Sequence, residues 1–263
     1  MPYQEFENKM PNAGTPLGGC LALVTGAGQG IGRAIAIGIS KAGAAVIVTD
    51  LCRDTAAETA TAITGVGGQS WSFPLDVRNL EECERLSAHV AAEIGLLDVL
   101  VNNAGILIRG DIDSVEAPNA WASTFAVNAD GPFNMVRAFL AALRSTEGAV
   151  INIGSIQSFV AIPNSFAYTA SKGAVLQLTK AMAAELAVHR IRVNGVAPGF
   201  MNTPLTAKTQ ADHARLAAIL AHVPMGRIGQ PEELSGAVVF LASRAASYIT
   251  GVMLPVDGGY LAL

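Results

Sequence analysis

The chain has 263 residues, 51% of them hydrophobic and 14% charged, with a formal net charge of −4. That apolar fraction excludes an intrinsically disordered chain, and the slightly acidic balance argues against a nucleic-acid partner. At roughly 100–200 residues per domain, the length suits one large domain or two small ones. The first residues, Met1–Glu7, are polar and acidic, unlike a secretory leader. No apolar run reaches the ~18 residues of a membrane span, because Arg137, Lys180 and Glu185 interrupt the longest segments. Three scattered cysteines (Cys20, Cys52, Cys83) suit a reducing cytoplasm rather than a disulfide framework. The four histidines lack zinc-site spacing, so no metal is expected.

In chain order, residues 1–17 carry Pro2, Pro11, Gly14 and Pro16 without periodicity and read as a tail. From there to residue 263 the pattern is that of one α/β domain. Short Val/Ile/Leu runs predict strands over 20–25, 45–50, 70–75, 97–101, 149–154, 191–196 and 252–256. Segments of helical period alternate with them at 31–42, 54–64, 79–94, 119–144, 165–189 and 231–243. Uniformly apolar runs such as Val46-Ile47-Val48 mark strands buried on both faces. A doubly wound, Rossmann-like, seven-stranded parallel sheet with helices on both faces follows. One stretch breaks the rhythm: 199–226 is too long for a simple connection and reads as a substrate loop or lid.

The first predicted strand runs into Thr25-Gly26-Ala27-Gly28-Gln29-Gly30-Ile31-Gly32, and a helix follows. Glycines here let the backbone approach a pyrophosphate, whose charge is met by the helix N-terminus. The spacing is T-G-x-x-x-G-x-G rather than G-x-G-x-x-G. Asp50 closes the second strand, where a carboxylate can take ribose hydroxyls and repel a 2′-phosphate. Leu51 and Cys52 follow it, and nearby Arg53 reads as a solvated helix start, so NAD is expected rather than NADP. After the third strand, Asp76, with Val77 beside it, suits either an adenine contact or a helix N-cap.

Tyr168 and Lys172 stand four apart, on one face of a predicted helix. Ser155 ends the fifth strand, and Asn102-Asn103-Ala104-Gly105 follows the fourth, both at the sheet edge where ligands bind. Asn128 sits mid-helix, where an asparagine competes with the backbone and needs a reason to be present.

With these motifs in place, the chain resembles the short-chain dehydrogenase/reductases from about residue 18 onward. The matching segments are Thr25-Gly26…Gly30-Ile31-Gly32, Asn102–Gly105, Asn128, Ser155, Tyr168/Lys172, Pro198-Gly199 and Tyr248…Gly259. The resemblance implies that Tyr168 is the acid/base, that Ser155 holds the substrate oxygen, and that Asn128 orders a water relay. It also implies that Lys172 binds the ribose and keeps the phenol acidic, and that Thr203 meets the nicotinamide carboxamide. By itself a phenol, with pKa ~10, is a poor base at neutral pH, and a neighbouring cation lowers that value.

An NAD(H)-dependent oxidoreductase acting on a small-molecule secondary alcohol or ketone is therefore expected. An NADP-linked 3-oxoacyl-thioester reductase and a non-catalytic cofactor-binding scaffold are the alternatives. Arg109, Gln157 and Asn164 flank the motifs, which favours a polyol, sugar or sugar acid, with Arg109 clamping a carboxylate. Phe159, Phe166, Phe200 and Met201 argue instead for an apolar pocket. Small residues along 119–144 and 165–189 (Ala138, Ala141, Ala142, Ala174, Ala181, Ala183) suggest a homotetramer through these helices, as in relatives.

Overall fold

A computed structural model describes residues 14–263. Its seven strands are β1 (Leu21–Val24), β2 (Ala45–Asp50), β3 (Ser70–Pro74), β4 (Val99–Asn102), β5 (Ala149–Ile153), β6 (Arg192–Pro198) and β7 (Met253–Val256). They form one sheet in the order β3-β2-β1-β4-β5-β6-β7, and every pairing is parallel. The chain reverses its direction of travel across the sheet between β1 and β4, so a crevice opens at the carboxyl ends of those strands. All seven predicted strands are present, with β6 ending two residues later than expected, at Pro198.

Alternation along each strand feeds two separate cores. Ala22 and Val24 of β1, with Val46 and Val48 of β2, face one side. There they meet α1 (Gly30–Lys41), α2 (Arg53–Thr64) and, through Leu234, Val238 and Leu241, the last long helix (Glu233–Ala242). Leu21, Leu23 and Ile47 face the other side, against α3 (Leu80–Glu93) and the two helices that carry Phe139 and Met182. The doubly wound layering expected from the apolar runs is thus the observed one.

Two expectations need correction. Most of the tail 1–17 lies outside the described residues, but Leu17 does not behave as tail: it is 1% exposed and packs into the first core. The helix expected over 119–144 is broken into α4 (Ala117–Phe125), a π turn (Ala126–Asp130) and α5 (Gly131–Thr146). Pro132 explains the break. It sits in the first turn of α5, and its missing N–H would have been the α-helical donor to the carbonyl of Asn128.

Beyond these come α6 (Phe166–Leu186), α7 (Ala207–Gln210), α8 (His213–Leu220) and α9 (Glu233–Ala242). The expected lid 199–226 holds a 3-10 turn, α7 and α8, and no side chain of α8 is buried. Among the described residues no helix is long and apolar enough to cross a membrane.

Arg192, at the start of β6, is the main polar rivet between sheet and α9. Its guanidinium donates to the carbonyls of Leu241 and Ala242, in the last turn of the helix, and to those of Ser243 and Ala246, which also accept the backbone N–H groups of Ala246 and Ile249. Arg192→Met should strip the Leu241 and Ala242 carbonyls of the guanidinium donor and lower unfolding free energy by about 3 kcal/mol. Urea titration at pH 7 measures this; an unchanged midpoint would show that water replaces the guanidinium without cost.

Candidate active site

The turn after β1 is fastened to the loop after β4 by four hydrogen bonds. Thr25 Oγ1 accepts the backbone N–H groups of Asn103 and Ala104, each at 3.0 Å. In return, Asn103 Nδ2 donates to the carbonyls of Thr25 and Gly26, each at 2.9 Å. Glycine is required on both sides of this junction. A Cβ on Gly26 would lie 2.8 Å from the Cα of Ala104, and one on Gly32 only 2.2 Å from the Gly26 carbonyl oxygen.

α1 then starts at Gly30, behind Gln29, with no side-chain cap and no acid in its first turn. Its first N–H groups are therefore open to an anion. A cradle with free donors, which a Cβ would fill, fits the pyrophosphate of a dinucleotide. Asp50 adjoins it: Oδ2 accepts from Gly28 N at 2.9 Å and Oδ1 from Cys52 N at 3.1 Å. Leu51 is 70% exposed beside it, where an adenosine would need cover.

Asp76 is not the N-cap of α3. Its carboxylate is bound by the Arg78 guanidinium at 2.6–3.0 Å, which holds it below the usual carboxylate range. The N-cap of α3 is Asn79, which accepts from Glu82 N at 3.2 Å. Val77 is buried, and its carbonyl accepts from Asn134 Nδ2 at 3.0 Å, tying the adenine side of the crevice to α5.

On the far side of the crevice, Ser155 follows β5 and caps a 3-10 turn, accepting from Gln157 N at 3.1 Å. Tyr168 and Lys172 share a face of α6, with Nζ 5.7 Å from the phenol ring centroid. Lys172 is 4% exposed; its ammonium donates to the Ile153 carbonyl at 2.7 Å, and its main-chain carbonyl accepts from Ser158 Oγ at 2.8 Å. Gly105 reaches this cluster: a Cβ there would lie 3.4 Å from Asn128 Oδ1 and 3.7 Å from Lys172 Nζ.

The Asn128 amide is fully engaged, accepting from Ile106 N at 2.8 Å and donating to Ile106 O and Ser171 Oγ at 3.0 Å each. Only its main-chain carbonyl, which Pro132 deprives of an α-helical donor, is left for a water. Near the nicotinamide end, Gly199 packs so tightly that a Cβ would lie 2.6 Å from the Cα of Asp257. Its N–H donates to Val256 O at 3.0 Å, which fixes Pro198 and Gly199 against β7. Thr203 stands over the start of α1, with side-chain atoms 3.7 Å from the position of a Gly30 Cβ.

Burial pushes the Tyr168 phenol up, while the Ser155 hydroxyl and the Arg109 charge pull it down. Lys172 lies over the phenol ring, with its ammonium donating to the Ile153 carbonyl. Burial in turn lowers Lys172 to about 8.

Of the three expected substrate residues, Arg109 is brought close enough to Tyr168 to act on it electrostatically. Gln157 is buried, and its Oε1 is held at 2.9 Å by Ser165 Oγ and at 2.6 Å by Thr169 Oγ1, a clamp that sequence reasoning missed. Those hydroxyls lie 8 and 12 residues away, beyond any local spacing signal. Asn164 is exposed, with φ +59°, and serves through its backbone: its carbonyl accepts from Gly110 N at 3.2 Å, beside Arg109. Of the rival apolar set, Phe200 and Met201 line one cavity with Val223, Met225 and Val256. Phe166 stacks on Trp121, Met201 is buried in the first core, and Phe159 is 47% exposed.

A family model described as enoyl-(acyl carrier protein) reductase matches residues 26–261. The chain is 38% identical over 253 residues to 2-dehydro-3-deoxy-D-gluconate 5-dehydrogenase of Escherichia coli (strain K12), covering 94% of this chain and 97% of that one. It is 41% identical over 248 residues to the L-tagatose-forming galactitol 2-dehydrogenase of Cereibacter sphaeroides, covering 93% and 96%. A solved gluconate 5-dehydrogenase from Burkholderia cenocepacia, in complex with NADP and tartrate, superposes with a TM-score of 0.91 at 39% identity, covering 94% and 97%.

Burying Lys172 has a cost that titration should expose. Its folded-state pKa near 8 lies below the ordinary 10.5, so the unfolded chain holds the extra proton between those values. The stability of the parent should then rise from pH 8 to pH 10.5 relative to Lys172→Met. At pH 7 the variant should be at least as stable as the parent. Paired urea melts at pH 7 and 9.5 check this, and a constant difference between the two proteins would refute the buried-charge account.

Proposed function

The chain belongs to the short-chain dehydrogenase/reductase family, and on that premise we propose that it is an NAD(H)-dependent dehydrogenase of a polyol, sugar or sugar acid. The observation that carries this reading is the meeting of Ser155, Tyr168 and Arg109 in one crevice, beside a glycine cradle with free amide donors. Relatives that act on gluconate derivatives and galactitol support the same substrate class. A 3-oxoacyl-thioester reductase would need an apolar channel, and Phe166 is stacked on Trp121 instead.

NAD would be held by Gly26, Gly28, Gln29, Gly30 and Ile31 at the pyrophosphate and by Asp50 and Leu51 at the adenosine ribose. Asp76 and Val77 would face the adenine. Asn103, Ala104 and Gly105 would line its middle, Tyr168 and Lys172 its second ribose, and Pro198, Gly199 and Thr203 the nicotinamide. When bound, the nicotinamide supplies the hydride acceptor or donor.

Tyr168 takes the hydroxyl proton of the substrate as hydride leaves, and returns it to the carbonyl oxygen in the reverse direction. Ser155, fixed by its capping geometry, donates to the oxygen as charge develops there. A phenol raised by burial needs help to ionise, and Ser155, Arg109 and the incoming positive ring provide it. Asn128 offers its main-chain carbonyl to a water that carries the proton outward past Lys172. Arg109 pairs with a substrate carboxylate, and Gln157 reads a hydroxyl with the part of its amide not bound by Ser165 and Thr169.

Asp50 supports NAD over NADP, since a 2′-phosphate would meet its carboxylate; the NADP in the Burkholderia structure is that protein's ligand. Exposed Trp121 and Phe133, 46% and 47% accessible, support assembly as a homotetramer through α4–α6, in the cytoplasm.

Tyr168→Phe should lower kcat by about 10²–10⁴-fold while leaving NADH binding intact. Near-native turnover in that variant would discard the acid/base assignment. In kcat/KM, NAD should be preferred with D-gluconate, galactitol or a related polyhydroxy substrate, and Asp50→Ala should narrow that preference. Efficient turnover confined to aryl or aliphatic secondary alcohols would overturn the substrate class and leave the oxidoreductase reading standing.

A further inference from the structure

Ser155 stands on a short piece of chain. β5 ends at Ile153, Gly154 follows, and Ser155 then caps a 3-10 turn of three residues, Ile156–Ser158. A turn of that length has too few internal hydrogen bonds to keep a fixed attitude alone. Side chains moor it to α6 instead. Ser158 Oγ accepts the N–H of Ser155 at 3.3 Å and donates to the Lys172 carbonyl at 2.8 Å. A Cβ on Gly154 would lie 3.0 Å from that hydroxyl, so glycine lets it fold back over the strand end. Gln157, whose N–H is bonded to Ser155 Oγ, has its Oε1 held by Thr169 Oγ1 at 2.6 Å and by Ser165 Oγ at 2.9 Å. The single Ser165 proton is also claimed by the Ile162 carbonyl at 2.6 Å, which leaves Thr169 as the firmer donor.

We propose that Ser158 and Thr169 are positioning residues that moor the Ser155 turn to α6 at points bracketing Tyr168, and so keep the Ser155 hydroxyl within reach of the phenol. This rests on the dehydrogenase reading above and adds to it two residues that act through Ser155. The mooring points on the helix side, Ser165, Thr169 and Lys172, recur at intervals of four and three, which is one face of α6 and its cap. Gln157 and Ser165 are buried, so water competes little for their bonds. Three elements bear on the phenol: this turn through the Ser155 hydroxyl, the loop after β4 through the Arg109 charge, and α6 through Lys172, whose Nζ is 5.7 Å from the ring centroid. No carboxylate of the described residues is among them. The two hydroxyls reach Ser155 by separate routes, Ser158 through the main chain of Lys172 and Thr169 through the Gln157 amide.

Separate routes allow separate variants. Thr169→Val removes one hydroxyl at nearly constant volume, and Ser158→Ala removes the other. Oxidation of D-gluconate and galactitol with NAD is followed from pH 6 to pH 10. In both variants the acid limb of kcat/KM should move about one pH unit upward, so that turnover falls about tenfold at pH 7 and approaches that of the parent in alkali. NADH affinity should be unchanged, and Thr169→Ser, which keeps the hydroxyl, should follow the parent. A loss of equal size at every pH would mean that these hydroxyls shape substrate binding rather than the phenol. An unchanged profile would mean that the ties are idle. Either result overturns the proposal and leaves the dehydrogenase reading standing. If the parent turns over neither compound, that reading falls, and amide hydrogen exchange decides the mooring: the N–H groups of Ser155 and Gln157 should exchange at least tenfold faster in both variants. Rates equal to those of the parent would overturn it.

Discussion

Asn103 donating to the carbonyls of Thr25 and Gly26, answered by Thr25 accepting from Asn103 and Ala104, is the junction on which the crevice depends. It joins the ends of β1 and β4, the two strands between which the winding reverses. On one side it sets the attitude of the turn that leads into α1. On the other it delivers Gly105 to within a methyl's width of Asn128 and Lys172. Asn128 then holds Ile106 by both backbone atoms, continuing the same strategy of side-chain amides pinned to main chain. Distances between the dinucleotide cradle and the phenol are thereby set by oriented hydrogen bonds in a shielded place, where such bonds are strong and costly to break.

A second amide chain stiffens the floor beneath. Asn102 Nδ2 donates to Asn152 Oδ1 across the β4–β5 pairing, and Asn152 Nδ2 donates to Thr179 of α6, each at 2.9 Å. Thr179 passes its own proton to Val175 O, so helix and sheet are registered through polar contacts beneath the Lys172 turn. The site meanwhile carries an internal tension. Withdrawal from water favours the neutral form of both the phenol and the ammonium, and the groups that oppose this for the phenol, Ser155 and Arg109, come from other elements. Acid–base character is in this way a property of the assembled crevice as well as of the Tyr168/Lys172 pair.

Much of this was legible in the sequence, for identifiable reasons. Strands buried on both faces leave an unmistakable apolar run, and a glycine turn between a strand and a helix has few other uses. Leu17 was hidden because a single apolar residue among prolines and glycines carries no period. The π turn escaped because the 119–144 pattern stays periodic through it; Pro132 alone marked the break, and proline is at home in a first helical turn. Asp76 shows the limit of local reasoning about acids: Arg78, two residues away, claims the carboxylate. Gln157, Ser165 and Thr169 meet only through the docking of α6 against the turn after β5, so no spacing rule could have paired them.

α8 contributes no buried side chain, and the two cores draw only Met201 from the whole 199–226 segment. Stability and substrate range are therefore encoded in largely separate stretches of chain. Residues 207–222 can drift, or be exchanged for those of a relative, with little penalty to the folded state. New specificities on such a scaffold need not wait for compensating changes in the sheet, and a family built this way is free to diversify its chemistry one lid at a time.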